Sequence, residues 1–479
     1  MGKFKSKSGN NKDQILEIRQ DGQELGSNSR ISVGRLLRLP SYFFFNKETQ
    51  IRMDVLIQLL DRLLQAVGQL FANPFYYIGI LFIVLHYRKQ IQMERKLFHT
   101  RLHSLLNETW RTVLWGWLGG ISASVLMLFV GVNIQASTII LLWVLSIILV
   151  MMRVRFFCLA YAVGILGIAQ VILSWIPNVT SLQEAIPVLD IVVGADIPSL
   201  LVIVAILHLL EGTLVGFQGA RMATPLFLEG RRGQIIGGQQ LQGFWPVPLF
   251  LLVPMTGGSI QGLPWDTLFG SNLASGWTLL AFPAMIGFTE LTISKLPRKQ
   301  ARFSASLLYL YGIILLVTAI AAHFWSPILL VGAVLSIALH EGLIRYNQWV
   351  EDKLVPFYVH SQRGLMVLSV VPNSPAHELG IQTGELIHKV NGHKIKTKTD
   401  LHIAMGLNSA FCRLEVLNEQ GEVRFLQRAI YSGDHHQLGI ILAPDQDALY
   451  FLEQRPLHLF SYLRNKLTGL LSNNSTKSM

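Results

Sequence analysis

Eight apolar stretches in this chain are long enough to cross a lipid bilayer, and that leaves few choices of fold. A spanning helix needs about 17 to 25 apolar residues. Such stretches lie near 69–87, 113–132, 137–152, 156–176, 199–217, 274–293, 304–322 and 327–344, with a weaker one near 242–257. Only 14% of the 479 residues are charged, against roughly 25% in soluble globular domains, and the mean hydropathy is +0.42. The runs are too many for a signal peptide, and the first lies too far from Met1. The pattern predicts a polytopic α-helical membrane domain of about 8–9 spans.

The formal charge of +11 does not point to nucleic acid. Excess Lys and Arg in a multi-span chain marks the loops on the cytoplasmic side. Between Thr112 and Tyr346 the cations are Arg153, Arg155, Arg221, Arg231, Arg232, Lys295, Arg298, Lys299, Arg302 and Arg345. The alternate connections around Asn133, at 177–198, at 257–273 and around His323 hold none of them, and carry Glu184, Asp190, Asp196 and Asp266 instead. This alternation predicts a cytoplasmic C-terminal region. It also argues that 242–257 crosses in spite of Pro246, Pro248 and Pro254. The basic loops 218–241 and 294–303 share a side only if the chain crosses twice between them.

Residues 1–52 are polar and basic, from Gly2-Lys3-Phe4-Lys5-Ser6-Lys7 onward, and read as a disordered extension. Nine spans and a cytoplasmic C-terminus would place its ten Lys and Arg outside, against the charge rule. Either the first hydrophobic region enters without crossing, or the tail is not part of the working protein. Met53, opening the run Met53-Asp54-Val55-Leu56-Ile57-Gln58-Leu59-Leu60, is then the alternative initiator. Tyr87 to Arg101 mixes cations with spaced apolar residues. It suits a helix along an anionic inner leaflet, or a plain cytoplasmic linker. Leu449 to Leu471 allows a terminal amphipathic helix. The expected organisation is a tail at 1–52, a multi-span domain at 53–346, an α+β module at 347–445 and a second tail at 446–479.

That module is the strongest local signal. Gly364-Leu365-Met366-Val367 has the form of a loop whose N–H groups receive a peptide carboxylate or main chain, and Val367-Leu368-Ser369-Val370-Val371 reads as the strand a ligand extends. Pro372-Asn373-Ser374-Pro375-Ala376-His377-Glu378-Leu379-Gly380 gives a turn, a capped short helix and a Gly stop. Gly384 to Gly392 follows as a strand closing on an Asn-Gly turn. Thr397-Lys398-Thr399-Asp400 is a capping-box variant opening a second helix at Leu401–Leu407, and Glu419-Gln420-Gly421 closes a last hairpin. The order is that of a PDZ domain. Its expected peptide-binding residues are Gly364, Leu365, Met366, Val367, Leu368 and Ser369, with Leu401 and Met405 as groove wall or as plain core.

Chemistry is harder to find. A zinc-dependent membrane protease needs two His one helical turn apart around a Glu. His340-Glu341-Gly342-Leu343-Ile344 has Ile where the second ligand belongs, and His208-Leu209-Leu210-Glu211 shows no third ligand in sequence. No Gly-x-Ser-x-Gly elbow and no phosphate-binding loop occurs; Gly257-Gly258-Ser259 and Ser122-Ala123-Ser124 are small-residue packing spots. Cys158 and Cys412 make no disulfide framework. No catalytic residue, metal ligand or cofactor is expected. A site-2-type protease with a degenerate metal motif, and a transporter with a regulatory PDZ domain, stand as alternatives.

Three further stretches carry a family resemblance: Arg95-Lys96-Leu97-Phe98-His99-Thr100-Arg101; Thr224-Pro225-Leu226 with Arg231-Arg232-Gly233-Gln234 and Trp245-Pro246-Val247-Pro248-Leu249-Phe250; and His436-Gln437-Leu438-Gly439-Ile440 trailing the module. From about 53 to 445 the chain resembles the MinJ family of polar cell-division topology proteins of rod-shaped Firmicutes. The 1–52 extension departs from that pattern. The resemblance implies a non-enzymatic membrane adaptor of the Min division-site selection system, enriched at the septum and cell poles. It would link a DivIVA-like polar protein to MinD and restrict septum placement. Other divisome membrane proteins and the lipid bilayer are the further partners it implies, with room for a homo-oligomer and no role for nucleic acid.

Overall fold

The computed structural model describes residues 47–132, 134–152, 156, 158–177, 183–230, 233–254, 265–269, 277–408, 410–429 and 438–445. Expectations for residues 1–46, Arg153, Arg155, Arg231, Arg232, His436, Gln437 and the 446–479 tail lie outside them.

The expected first span at 69–87 is broken. Helix α1 (Lys47–Ala72) stops before Asn73, and α2 (Pro74–Phe98) leaves at 61° to it. Proline lacks an N–H and pushes its predecessor out of the helical region. Asn73 is accordingly extended, and its side chain caps the new helix by accepting the Phe75 N–H at 3.0 Å. Met53 lies inside α1 rather than at its start. The basic stretch from Tyr87 is the end of α2 and not a separate helix on the bilayer surface. Its face carrying Tyr87, Gln90, Ile91 and Glu94 is buried in the protein, while Arg95 and Lys96 stay exposed.

Five more helices follow: α3 (Leu105–Val130), α4 (Ala136–Met152), α5 (Leu159–Ser174), the short α6 (Pro187–Val193) and α7 (Ile197–Gln218). After a sheet come α8 (Pro297–Phe324) and α9 (Ile328–Lys353). Among the described residues α3, α7, α8 and α9 are long and apolar enough to span, and the bent α1–α2 pair would make a fifth; α4 and α5 are apolar but shorter. Against the expected 8–9 spans, the described residues thus offer four or five candidates by length and composition. Helix α7 is the hub: Ile197, Leu201, Val202, Val204 and Ala205 are wholly buried, as expected for a helix apolar all round. Leu106, Trp110, Leu310, Val317 and Phe324 on α3 and α8 point outward uncovered, which suits contact with lipid.

The expected spans at 242–257 and 274–293 are not helices. Strands β1 (Ala223–Glu229), β2 (Ile235–Pro254) and β3 (Trp277–Thr292) form an antiparallel sheet in that order. The prolines explain why. Beyond Leu241, β2 has β3 on one side only, with Pro246 opposite Met285 and Pro248 opposite Pro283. Residues 246, 248 and 250 turn their backbone groups to the other side, toward α3. Proline is tolerated at such an edge because no ladder donor is lost. Where a donor does exist, it is used: the Phe250 N–H donates to Ser124 Oγ at 2.8 Å.

Helix α3 supplies a matching face. Gly116, Gly120 and Ser124 repeat every four residues and so share one side of the helix. A Cβ on Gly116 or Gly120 would collide with the carbonyl oxygen of Pro246 or Pro248. The two backbones thus touch directly, in the geometry that permits weak Cα–H···O contacts. A covered sheet edge is also what a hydrocarbon surrounding demands, since bare strand edges cost several kcal/mol per group there.

The chain after α9 is stitched to this sheet. Glu351 accepts from the Ile293 and Ser294 N–H groups (3.0 and 3.2 Å) and from the hydroxyls of Thr292 and Ser294 (3.1 and 2.9 Å). Phe357 N–H donates to Ile293 C=O at 2.8 Å, and Gly237 N–H to Tyr358 C=O at 2.9 Å. Removing the Glu351 carboxylate strands four donors in a mostly buried corner. Glu351→Ala should therefore cost about 2–4 kcal/mol, read as a lower unfolding temperature with faster hydrogen exchange over 354–364. An unchanged midpoint would contradict this anchoring role.

Candidate peptide-binding groove

Beyond the anchor, β4 (Leu365–Val370), α10 (Pro375–Glu378), β5 (Leu386–Val390), β6 (His393–Lys394), α11 (Lys398–Gly406), β7 (Phe411–Leu417), β8 (Val423–Ala429) and β9 (Ile440–Leu442) build a small α+β module. Its strands run in the order β8-β7-β5-β4-β9, with β6 beside β5. The local sequence signals act as expected. Ser374 Oγ accepts from His377 N–H at 3.3 Å, and Gly380 follows α10 at φ +72°. Asn391 and Gly392 both take positive φ, 50° and 86°, at the tight turn into β6. Thr397 and Asp400 exchange both bonds of a capping box at α11. The N–H groups of Lys396 and Thr397 hold the Asp400 carboxyl below the usual carboxylate range.

The binding strand is not where the sequence placed it. β4 is interior: Leu365 and Met366 pair with β5, and Val367, Ser369 and Val370 pair with β9. Val367 N–H donates to Glu385 C=O (2.8 Å), and Leu368 C=O accepts from Gln239 Nε2 of the membrane-side sheet (2.6 Å). A strand with a neighbour on both sides cannot be extended by a ligand. Gly364, at φ +154°, lies so close to the Ile387 carbonyl that a Cβ would clash. It is a packing glycine rather than an open anion loop. Leu365, Val367 and Leu368 are buried, and only Met366 and Ser369 are partly accessible.

Among the described residues β9 has a strand on one side only. Gly439 C=O accepts from Val371 N–H, and Ala443 N–H donates to Met366 C=O. By strand alternation the backbone groups of Ile440 and Leu442 then face away from β4, toward the open edge. Helix α11 lies beside this edge. Lys398 Nζ is 3.1 Å from Asp445, just past β9, and Leu401 and Ile440 pack on the cluster that holds Met405 and Leu442. Met405, 4% exposed, is core, whereas half-buried Leu401 remains available to line a groove. The missed signal was Leu438-Gly439-Ile440-Ile441. It has the same Gly-plus-apolar form as Gly364-Leu365-Met366-Val367.

The same face is fixed to the membrane module. Tyr358, Leu368 and Ile441 form one buried cluster with Phe98, Leu102, Phe227 and Leu296, and Lys299 pairs with Glu419. The candidate groove is thus held close to the basic residues that open α8. Cys412 is buried under the sheet, and burial pushes its thiol up to about 11, so it is inert at neutral pH.

The histidines dismissed as lacking partners do converge in space: Cys158, His208 and His340 offer ligand atoms within 4.8 Å of one another. A motif with ligands one helical turn apart cannot reveal them, because these residues come from three separate segments.

Residues 366–405 match the family model of the PDZ domain. Over 392 residues the chain is 30% identical to the cell division topological determinant MinJ of Bacillus subtilis (strain 168), covering 80% of this chain and 95% of that protein. Probable cell division topological determinants MinJ of Lacticaseibacillus paracasei and Lacticaseibacillus casei (strain BD-II) are each 28% identical over 259 residues, covering 52% of this chain and 67% of theirs.

Proposed function

Because the chain belongs to the MinJ family of cell division topological determinants, we propose that it is a non-enzymatic membrane adaptor that places the division septum. In this reading it connects a DivIVA-like polar scaffold to MinD and to other divisome membrane proteins. The observation that carries the proposal is a PDZ domain in which β9 has, among the described residues, one free edge, seated on a bundle of apolar helices. The charge distribution supports a cytoplasmic position for that domain. Arg221 and Lys295 between α7 and α8, with Arg298 and Lys299 opening α8, lie on its side, while Glu184, Asp190 and Asp196 precede α7 on the other. Anchoring confines the groove to two dimensions, so modest peptide affinity is enough for recruitment.

A fluorescent fusion to the full chain is expected to collect at septa and poles, and deletion to give filaments or minicells. Uniform membrane fluorescence together with normal division in the deletion strain would overturn the proposal.

A further inference from the structure

We propose that Cys158, His208 and His340 form an intramembrane metal site for a borderline-soft divalent cation of the zinc class. The three residues come from the N-cap of α5 and from the middles of α7 and α9. Their ligand atoms lie within 4.8 Å of one another, so the three share one level among the apolar helices. Polar groups at such a depth are rare and are as a rule functional.

The geometry is that of ligands awaiting a centre. Cys158 Sγ stands 3.3 Å from His208 Nε2, close to the roughly 3.5 Å that tetrahedral zinc requires between a sulfur and a nitrogen ligand. Cys158 occupies the N-cap of α5 but makes no side-chain capping bond. The imidazoles of His208 and His340 lie edge to face, 5.4 Å between centroids. Small side-chain rotations would bring all three atoms onto one ion.

The surrounding groups fix the tautomers that ligation needs. His208 Nδ1–H donates to Val204 C=O at 2.7 Å, which leaves Nε2 as the lone pair facing the thiol. Tyr161 donates its hydroxyl proton to Glu341 at 2.6 Å, and the same oxygen accepts from His340 Nδ1–H at 3.1 Å. Both histidines therefore hold Nδ1–H on an oxygen, and His208 turns Nε2 to the Cys158 thiol. This outer arrangement is the one that orients metal-bound imidazoles. Glu341, read from sequence as half of a broken protease motif, takes a positioning role through Tyr161.

A sulfur and two imidazoles favour zinc-class ions over magnesium or calcium. Glu211, with a carboxylate oxygen 3.9 Å from His208 Nε2 but outside the three-residue cluster, would reach a fourth position only after a side-chain rotation. Binding releases the thiol proton to solvent as the sulfur–metal bond forms. One thiolate, one carboxylate and two neutral imidazoles around a divalent ion give a site of zero net charge, which suits an apolar interior. The bound ion would tie α5, α7 and α9 together ahead of the PDZ domain. This inference is independent of the adaptor reading and assigns no hydrolysis to the site.

The test uses the full chain purified in detergent, loaded with Zn²⁺ and desalted. About one Zn²⁺ per chain is expected, lost in Cys158→Ser, His208→Asn and His340→Gln and retained in Cys412→Ser. Co²⁺ in place of Zn²⁺ should give a thiolate-to-cobalt charge-transfer band that Cys158→Ser abolishes. Should those variants fail to fold, X-ray absorption on the wild type decides, with one sulfur at about 2.3 Å and nitrogens at about 2.0–2.1 Å expected. Sub-stoichiometric Zn²⁺ in folded wild type, or bound Zn²⁺ without a sulfur neighbour, overturns the proposal.

Discussion

Gly120→Val is expected to leave almost no correctly folded protein, and Gly116→Val very little more. At both positions the new side chain meets a backbone carbonyl of β2 rather than a flexible side chain, so relief requires moving a strand. That strand is held in register with β3 over sixteen residue pairs. Its far end also hangs on Ser124, which donates to Gly120 C=O (2.7 Å) and accepts from Phe250 N–H. Overpacking usually costs about 1–3 kcal/mol, and a shift of paired backbone belongs at or above the top of that range. Gly342→Ala, in α9, gives the contrast. A Cβ there meets nothing within 4 Å, and replacing a mid-helix glycine gains about 0.5–1 kcal/mol. Thermal unfolding followed by size-exclusion chromatography in detergent separates the two cases. Wild-type stability in Gly120→Val would mean that α3 and β2 do not meet in this way.

The helix–strand contact shows why part of the fold was hidden in the sequence. Hydropathy marked 242–257 and 274–293 as apolar but could not choose between helix and strand. Trp245, Val247, Leu249 and Leu251 on one face of β2 are buried, and so are Phe250 and Leu252 on the other. A strand covered on both faces loses the alternation that would reveal it. Pro246, Pro248 and Pro254 carried the missing information, read at first only as a reason to doubt a span. Asn73-Pro74 likewise announced the break in the first hydrophobic region.

Legibility in the PDZ domain followed the range of each interaction. Ser374, Asn391-Gly392 and the Thr397/Asp400 pair act on neighbours within a few residues, and each was readable. Which strand forms the open edge is decided by pairing across some seventy residues, between Val367 and Leu442. No local pattern encodes that pairing, so the segment at Gly364 looks in sequence like a free edge that among the described residues lies at β9 instead. Convergence of Cys158, His208 and His340 is non-local in the same sense. It depends on how α5, α7 and α9 pack, for which Gly164 and Gly167 against Ile337 and Ala333 make room.

Under the adaptor function proposed above, with MinD as the recruited partner, Ile440→Pro is expected to weaken that recruitment sharply while the protein stays folded and in the membrane. The Ile440 N–H faces the open edge, so proline removes a donor offered to an incoming strand without touching the β4–β9 ladder. One lost hydrogen bond together with the clash of the ring against a docking backbone should weaken binding tenfold or more, about 1.4 kcal/mol at the least. Ser369→Pro is the necessary comparison. Ser369 pairs with Ile441 inside the sheet, so proline there should lower the unfolding temperature of the module itself. In cells carrying a fluorescent MinD, Ile440→Pro should leave the adaptor at septa and poles, held by its helices, with MinD dispersed; Ile440→Val should behave as wild type. A folded Ile440→Pro protein that still gathers MinD would move the docking surface away from β9. Candidates would then be sought on the membrane-side sheet, where the basic ends of the helices meet the PDZ domain.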